Sequence, residues 1–246
     1  MKSWPVFVLS LPGEEVRRAP LLQALAGMGV SYEVFPGIDG RTGLPDRWHG
    51  EIDRISASRE IGRDLTDGEF ACALSHREIY RQIGIRALPG AVVLEDDAIV
   101  GAQFAFFIEH KLYERAALMM LDHSHARVAG SASELMPGVG MRRLTLPSCL
   151  TTAYSISADA AQTLLKAASP VRSPADWPGD IVALGAVAMA PRIVDHPDPM
   201  TGGSHLNAVR SQMPRHRGSL ERARQRWTSG AHWRRWFIKR CSTRIS

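Results

Sequence analysis

The chain has 246 residues, of which 45% are apolar, 22% charged and 7% aromatic, with a formal net charge of +5. That composition suits an ordinary soluble globular protein and excludes collagen-like, disordered and disulfide-scaffold classes. No apolar run approaches the ~20 residues of a membrane-spanning helix, and the three cysteines (Cys72, Cys149, Cys241) are odd in number and lack metal-like spacing, which points to a reducing compartment.

In chain order, Trp4–Leu11 is the most apolar opening stretch, with Val6–Leu9 as its β-branched centre. It runs into Pro12-Gly13-Glu14-Glu15 rather than a small-residue cleavage site, so it reads as a first buried strand. Glu14–Gly27 carries Val16, Leu21, Leu22 and Leu25 at helical spacing and closes on Gly27. Tyr32–Phe35 is a second strand ending in Pro36-Gly37 and the turn pair Asp39-Gly40. This strand–helix–strand opening predicts an α/β sheet with parallel strands. Residues 40–63 are polar and weakly periodic and read as a long surface loop.

Thr66-Asp67-Gly68-Glu69 is a capping box, with Thr66 as N-cap of a helix running to about Gly84. Ala91–Leu94 is a short apolar strand that ends on three carboxylates, Glu95, Asp96 and Asp97. Ala117–Leu121 is a further strand candidate, and residues 127–147 suggest irregular hairpins. Ala153–Ile156 predicts a strand, with Ser157 capping a helix over Ala158–Ala168. Pro170–Asp180 is a Pro/Asp-rich loop, and Val187–Val194 supplies one or two last core strands.

The charge is unevenly placed. From Arg215 onward there are ten Lys/Arg against one acid, a net +9 that leaves −4 for residues 1–214. Trp227, Trp233, Trp236, Phe237 and Ile238 are set into this basic segment. Interfacial aromatics among cations suit an anionic membrane surface, each Lys/Arg near it contributing on the order of 1 kcal/mol. Single-stranded nucleic acid is the rival partner, and docking of the aromatics on the body is the structural alternative.

The acids after Ala91–Leu94 carry the most chemistry. In an extended chain Glu95 and Asp97 point to the same side, and oxygen ligands suit Mg²⁺ or Mn²⁺ held together with substrate phosphates. Open α/β sheets bind ligands beyond the carboxyl ends of their strands, where these acids lie. Glu69, His76 and Tyr80 share one face of their helix with Cys72 and Ala73. Asp176 and Asp180 flank Trp177, as sugar contacts or as turn formers. Arg17 and Arg18 are placed to reach a diphosphate.

Four blocks in order then resemble glycosyltransferase family 25: Val6–Leu11 with Arg17-Arg18; Tyr32–Phe35 through Ile38-Asp39-Gly40; Leu65–Glu69 with Leu74-Ser75-His76; and Val93-Leu94-Glu95-Asp96-Asp97-Ala98. Ala153–Ser157 with Ala160-Ala161, and Pro174-Ala175-Asp176-Trp177, are weaker echoes. The chain departs from the family at Pro12-Gly13, where a polar pair is usual, and in its tail.

The resemblance implies a GT-A-like α/β fold: one nucleotide-binding domain over residues 1–205 with a mainly parallel sheet, and a basic, helical tail over 206–246. It implies transfer, with inversion, of a hexose from a UDP-hexose, most often UDP-galactose, assisted by Mn²⁺ or Mg²⁺ on Glu95 and Asp97. Asp96, Arg17, Arg18, Asp39 and Glu69 would serve the donor. Asp176 is the first candidate for the general base, followed by Asp180 and His76. The acceptor would be a glycan or lipid-linked saccharide of lipopolysaccharide or lipooligosaccharide type. The tail would then hold the enzyme, peripherally, on the inner, cytoplasmic face of the membrane. The competing reading is a nucleic-acid- or membrane-binding protein that acts through its tail, with an inactive body. An α/β phosphohydrolase using the same acids is a further rival.

Overall fold

A computed structural model describes residues 3–197 and 230–245. Its spine is a sheet built from β1 (Val6–Ser10), β2 (Glu33–Pro36), β3 (Gly90–Glu95), β5 (Leu118–Met120), β6 (Ala126–Met136), β7 (Val139–Leu144), β8 (Ala153–Ser157), β9 (Val187–Ala190) and β11 (Thr243–Ile245). Among the described residues these nine strands lie in the order β11-β6-β7-β9-β5-β8-β3-β1-β2. The fold is α/β, as expected for a GT-A-like domain, and the sheet is mixed. β1 runs parallel to β2 and β3, and β5 to β9, whereas β8 lies antiparallel between β3 and β5. The carboxyl ends of β1, β2, β3 and β5 therefore share one edge, together with the chain entering β8.

The near-continuous apolar runs of β1 and β3 follow from burial on both faces. Val6, Val8, Val92 and Leu94 face a core shared with α1 (Glu15–Gly27) and α4 (Ala102–Glu109). Phe7, Leu9, Ala91 and Val93 alternate into a second core beneath α3 (Asp67–Ile85) and α5 (Ala158–Ala167). Each large apolar side chain so buried contributes roughly 1.5–3 kcal/mol relative to exposure. The expected capping box is present: Glu69 N–H donates to Thr66 Oγ1 (3.1 Å) and Thr66 N–H to Glu69 Oε2 (3.0 Å). Ser157 likewise caps α5 by accepting from Ala160 N–H at 3.3 Å.

One expectation needs correction. Residues 40–63 are not one loop: they hold a 3-10 turn (Asp46–Glu51) and α2 (Arg54–Ile61). α2 is set by its ends rather than by apolar periodicity. Asp53 accepts from Ser56 N–H, Gly62 closes it in the left-handed region (φ 80°), and Ala57 is its buried residue, against Leu44, Leu65 and Phe70. The irregular hairpins expected over residues 127–147 are present as one long hairpin, β6–β7, whose register shifts between Ala129 and Ser133 and between Glu134 and Met136. A short pair, β4 (Ile99–Val100) with β10 (Val194–Asp195), closes the edge beside the acidic turn.

The boundary expected at 205/206 lies outside the described residues, as does Trp227. Beyond them the helix expected in the tail is present as α6 (Gly230–Cys241), and β11 then pairs antiparallel with β6. Arg127 donates to the Lys239 carbonyl (2.5 Å), and Ile245 packs on the core beneath the sheet. The end of the chain is thereby stitched to the body.

Candidate active site

The chain turns where β3 stops. Ala98 N–H donates to the Glu95 carbonyl (3.1 Å), so Asp96 and Asp97 lie in a turn, and the two-residue alternation expected of an extended chain does not carry past Glu95. The three acids diverge. Arg17, from the first helix, reaches across with Nε 2.9 Å from Asp96 Oδ1 and Nη2 2.6 Å from Asp97 Oδ2. Asp96 is buried and also accepts from Ser10 Oγ at the end of β1 (2.9 Å). Burial pushes the Asp96 carboxyl above its usual range, only partly offset by Arg17 and Ser10.

Glu95 turns the other way. Its Oε1 accepts from Thr151 Oγ1 at 2.8 Å and lies 3.2 Å from His76 Nε2. Burial alone would raise its carboxyl, but His76, Thr151 and Arg17 together hold it below the ordinary glutamate value. His76 is buried on α3, with Nδ1 2.9 Å from the Tyr154 hydroxyl of β8. Its geometry is that of a residue behind Glu95, positioning it.

Two cavities meet at Glu95. The first, about 200 Å³, opens beyond the ends of β1, β2 and β3 and is lined by Ser10, Arg17, Gly37, Gly40, Arg41, Ser75 and all three acids. The second, about 150 Å³, is lined by Glu69, Leu150, Thr151, Pro174 and Asp176. Cys72 and Glu95 line both and form the wall between them. Gly40 permits the close approach of its loop to α3, since a Cβ there would meet Asp67 O at 2.5 Å. Ser75 ties the same loop down, accepting from Ile38 N–H (2.8 Å) and donating to Ala71 O (2.7 Å).

The remaining expected residues divide. Asp176 reaches the second cavity and accepts from Leu150 N–H at 3.0 Å. Its neighbour Trp177 (φ 63°) and Leu150 itself (φ 81°) are both held in the left-handed region, a conformation costing of order 1–3 kcal/mol that concentrates at functional sites. Asp180, by contrast, caps Val182 and Ala183 N–H (3.0 and 3.1 Å) and lines neither cavity. Glu69 is buried and engaged twice, in the capping box and with both guanidinium nitrogens of Arg63 (2.6 and 2.8 Å). Arg18 turns to Glu15 (2.7 Å), and Asp39 grips Arg41, so that Arg41 rather than Asp39 lines the first cavity.

Sequence reasoning did not single out Ser10, Arg41 or Thr151 as site residues. Ser10 ends β1 and Arg41 lies in the loop that follows β2, a positional signal; Thr151 meets Glu95 across 56 residues of sequence and carries none. Nor did it find the group after β5, where buried Asp122 accepts from His196 Nδ1 (2.8 Å) beside Arg192. Burial raises the Asp122 carboxyl against these partners.

Residues 3–178 match the sequence profile of glycosyltransferase family 25 (LPS biosynthesis protein), a span that contains every residue lining the two cavities. The chain belongs to glycosyltransferase family 25. Among curated members, it is similar to the "Probable inactive glycosyltransferase 25 family member 3" of Rattus norvegicus, 38% identical over 95 residues, or 37% of this chain and 17% of that protein. The human "Inactive glycosyltransferase 25 family member 3" is 29% identical over 217 residues, 74% of this chain and 35% of that protein. "Procollagen galactosyltransferase 1-A" of Xenopus laevis is 28% identical over 172 residues, 66% of this chain and 28% of that protein. This family-25 chain thus spans from about a sixth to about a third of the length of these relatives. α6 and β11 lie beyond the family match.

Proposed function

We propose that the chain is an active hexosyltransferase moving a hexose, with galactose the first choice, from a UDP-sugar to a glycan or lipid-linked saccharide of lipopolysaccharide type. The observation that carries this reading is the shared wall: Glu95 borders both an acid- and arginine-lined cavity and a second cavity that holds Asp176. In the proposed reaction the acceptor hydroxyl attacks the anomeric carbon, the carbon–oxygen bond to UDP breaks, and the configuration inverts. Asp176 takes the hydroxyl proton, a role that requires its carboxylate to face the acceptor. Arg17 and Arg41 supply positive charge for the diphosphate.

The donor set is of the oxygen type that Mg²⁺ and Mn²⁺ prefer; Arg17 occupies Asp96 and Asp97 and Glu95 turns toward His76 and Thr151, so sharing one ion requires these side chains to turn. Glu95 and Asp97 would hold it, and when bound it would neutralise charge building on the departing UDP. The test is release of UDP from UDP-galactose, UDP-glucose and their N-acetyl derivatives, with and without Mn²⁺. Metal-dependent release that Asp97→Ala abolishes supports the reading. Release retained in that variant, or none from any donor, overturns it, the latter in favour of the inactive state named for two of the relatives.

Support for a membrane-surface location comes from α6. No helix among the described residues is long and apolar enough to cross a membrane. α6 instead exposes Trp233, Trp236 and Phe237 beside Arg235, Lys239 and Arg240, with the Arg240 guanidinium 4.7 Å from the centre of the Trp236 ring. Cations and interfacial aromatics on one short helix suit an anionic lipid surface. The proposed location is therefore peripheral, on the inner, cytoplasmic face where lipid-linked acceptors would be met.

A further inference from the structure

Cys72 and His76 stand one turn apart on α3 and face Glu95 at the end of β3. One ligand atom from each, a sulfur, a ring nitrogen and a carboxylate oxygen, lie within 4.8 Å of one another. We propose that Cys72, His76 and Glu95 form a binding site for a thiophilic divalent ion, zinc foremost, which shares Glu95 with the carboxylate pair Glu95/Asp97 but adds a sulfur and a nitrogen ligand. The site does not depend on the chain being an active transferase.

The set has the composition of a borderline-soft metal site. Thiolate and imidazole favour zinc over Mg²⁺ or Ca²⁺, which take oxygen ligands. The imidazole is oriented for the purpose. In the tautomer with Nδ1–H donating to the Tyr154 hydroxyl (2.9 Å), Nε2 turns its lone pair toward Glu95 Oε1 (3.2 Å); in the other, Nε2–H donates to Glu95 and Nδ1 accepts from the tyrosine. A bound cation selects the first tautomer, whose Nε2 lone pair becomes the ligand. The tyrosine is the outer partner that fixes the tautomer of a ligating histidine. Glu95 is fixed as well, by Thr151 at 2.8 Å.

The distances agree with tetrahedral zinc. Zinc–nitrogen and zinc–oxygen bonds of about 2.0–2.1 Å put N and O about 3.3 Å apart, close to the observed pair. A zinc–sulfur bond of about 2.3 Å asks for S···N near 3.6 Å, so from within 4.8 Å the Cys72 Sγ closes by about 1.2 Å at most. Three protein ligands leave a fourth position, and Cys72 and Glu95 border both cavities, so that position opens to solvent and ligand.

The experiment uses the full chain, stripped by chelator and titrated with Co²⁺ and then Zn²⁺. The expected result is one tight equivalent of Co²⁺ with a sulfur-to-cobalt charge-transfer band in the near ultraviolet, bleached when Zn²⁺ displaces it. Cys72→Ser removes the band and weakens zinc by more than about 100-fold, and Tyr154→Phe weakens it by about 10–100-fold. Cys149→Ser, Cys241→Ser and Asp97→Asn leave the band in place. X-ray absorption of the wild-type zinc complex gives one sulfur in the first shell, a readout that needs no variant to fold. No band, a band that survives Cys72→Ser in folded protein, or a shell without sulfur overturns the proposal. A failure of UDP release leaves it standing, and loss of the band with metal-dependent release intact removes this site alone.

Discussion

Arg17→Ala removes the cation that joins Asp96 to Asp97. Hydrogen bonds to charged groups are worth about 1.5–3 kcal/mol each. With a third of the Arg17 side chain exposed, the lower figure applies to its two contacts, giving a loss of about 3 kcal/mol. At about 2–4 °C per kcal/mol for a chain of this size, the melting temperature falls by about 6–12 °C. The variant leaves three adjacent acids around a cavity, and a divalent ion then substitutes for the guanidinium. Mn²⁺ at a hundred times its dissociation constant returns about 2.7 kcal/mol, most of the deficit, and more than wild type gains where Arg17 shares the same oxygens. The pH dependence has a sign. Burial holds the Asp96 carboxyl above its unfolded value, so acidification protonates it first in the folded state. The penalty that Arg17 offsets disappears as pH falls through that raised value, and variant and wild type converge. Thermal melts across pH with and without Mn²⁺ measure all of this. A melting temperature unaltered by Arg17→Ala, or equal Mn²⁺ shifts in both proteins, refutes the clamp.

Glu69→Ala strands the largely buried Arg63 and opens the capping box, costing about 3 kcal/mol in chemical denaturation; a loss below about 1 kcal/mol would show that Glu69 is not structural. Asp176→Asn retains donor binding in calorimetry but lowers transfer by about 100- to 10,000-fold, while Asp180→Ala leaves transfer unchanged; the reverse order would exchange their roles. Replacing Trp233, Trp236 and Phe237 together with Ala removes about 3 kcal/mol of interfacial burial and weakens binding to anionic vesicles by about 100-fold in a flotation assay. Equal binding by the triple variant excludes α6 as the contact. Substitution is preferred to truncation here because β11, just beyond α6, completes the sheet.

What could be read from the sequence alone was short-range. β1 and β3 were legible because both of their faces are buried, which leaves continuous apolar runs, and α3 and α5 because their caps lie within three residues of their partners. The acidic strand end and its place at a sheet edge were legible for the same reason. α2 was not, since it is held by its ends; the β6–β7 hairpin was legible as an irregular hairpin but not in its strand bounds, because its outer positions are polar and its register shifts. The site's wiring belongs to the tertiary structure. Cysteine spacing alone shows no metal pattern, yet Cys72 and His76 on a helix meet Glu95 on a strand. Arg17 finds two acids 80 residues away, and the last strand finds β6 across more than a hundred. Such meetings depend on strand order and register, which arise when both faces of the sheet are buried together, and no local run of residues encodes them.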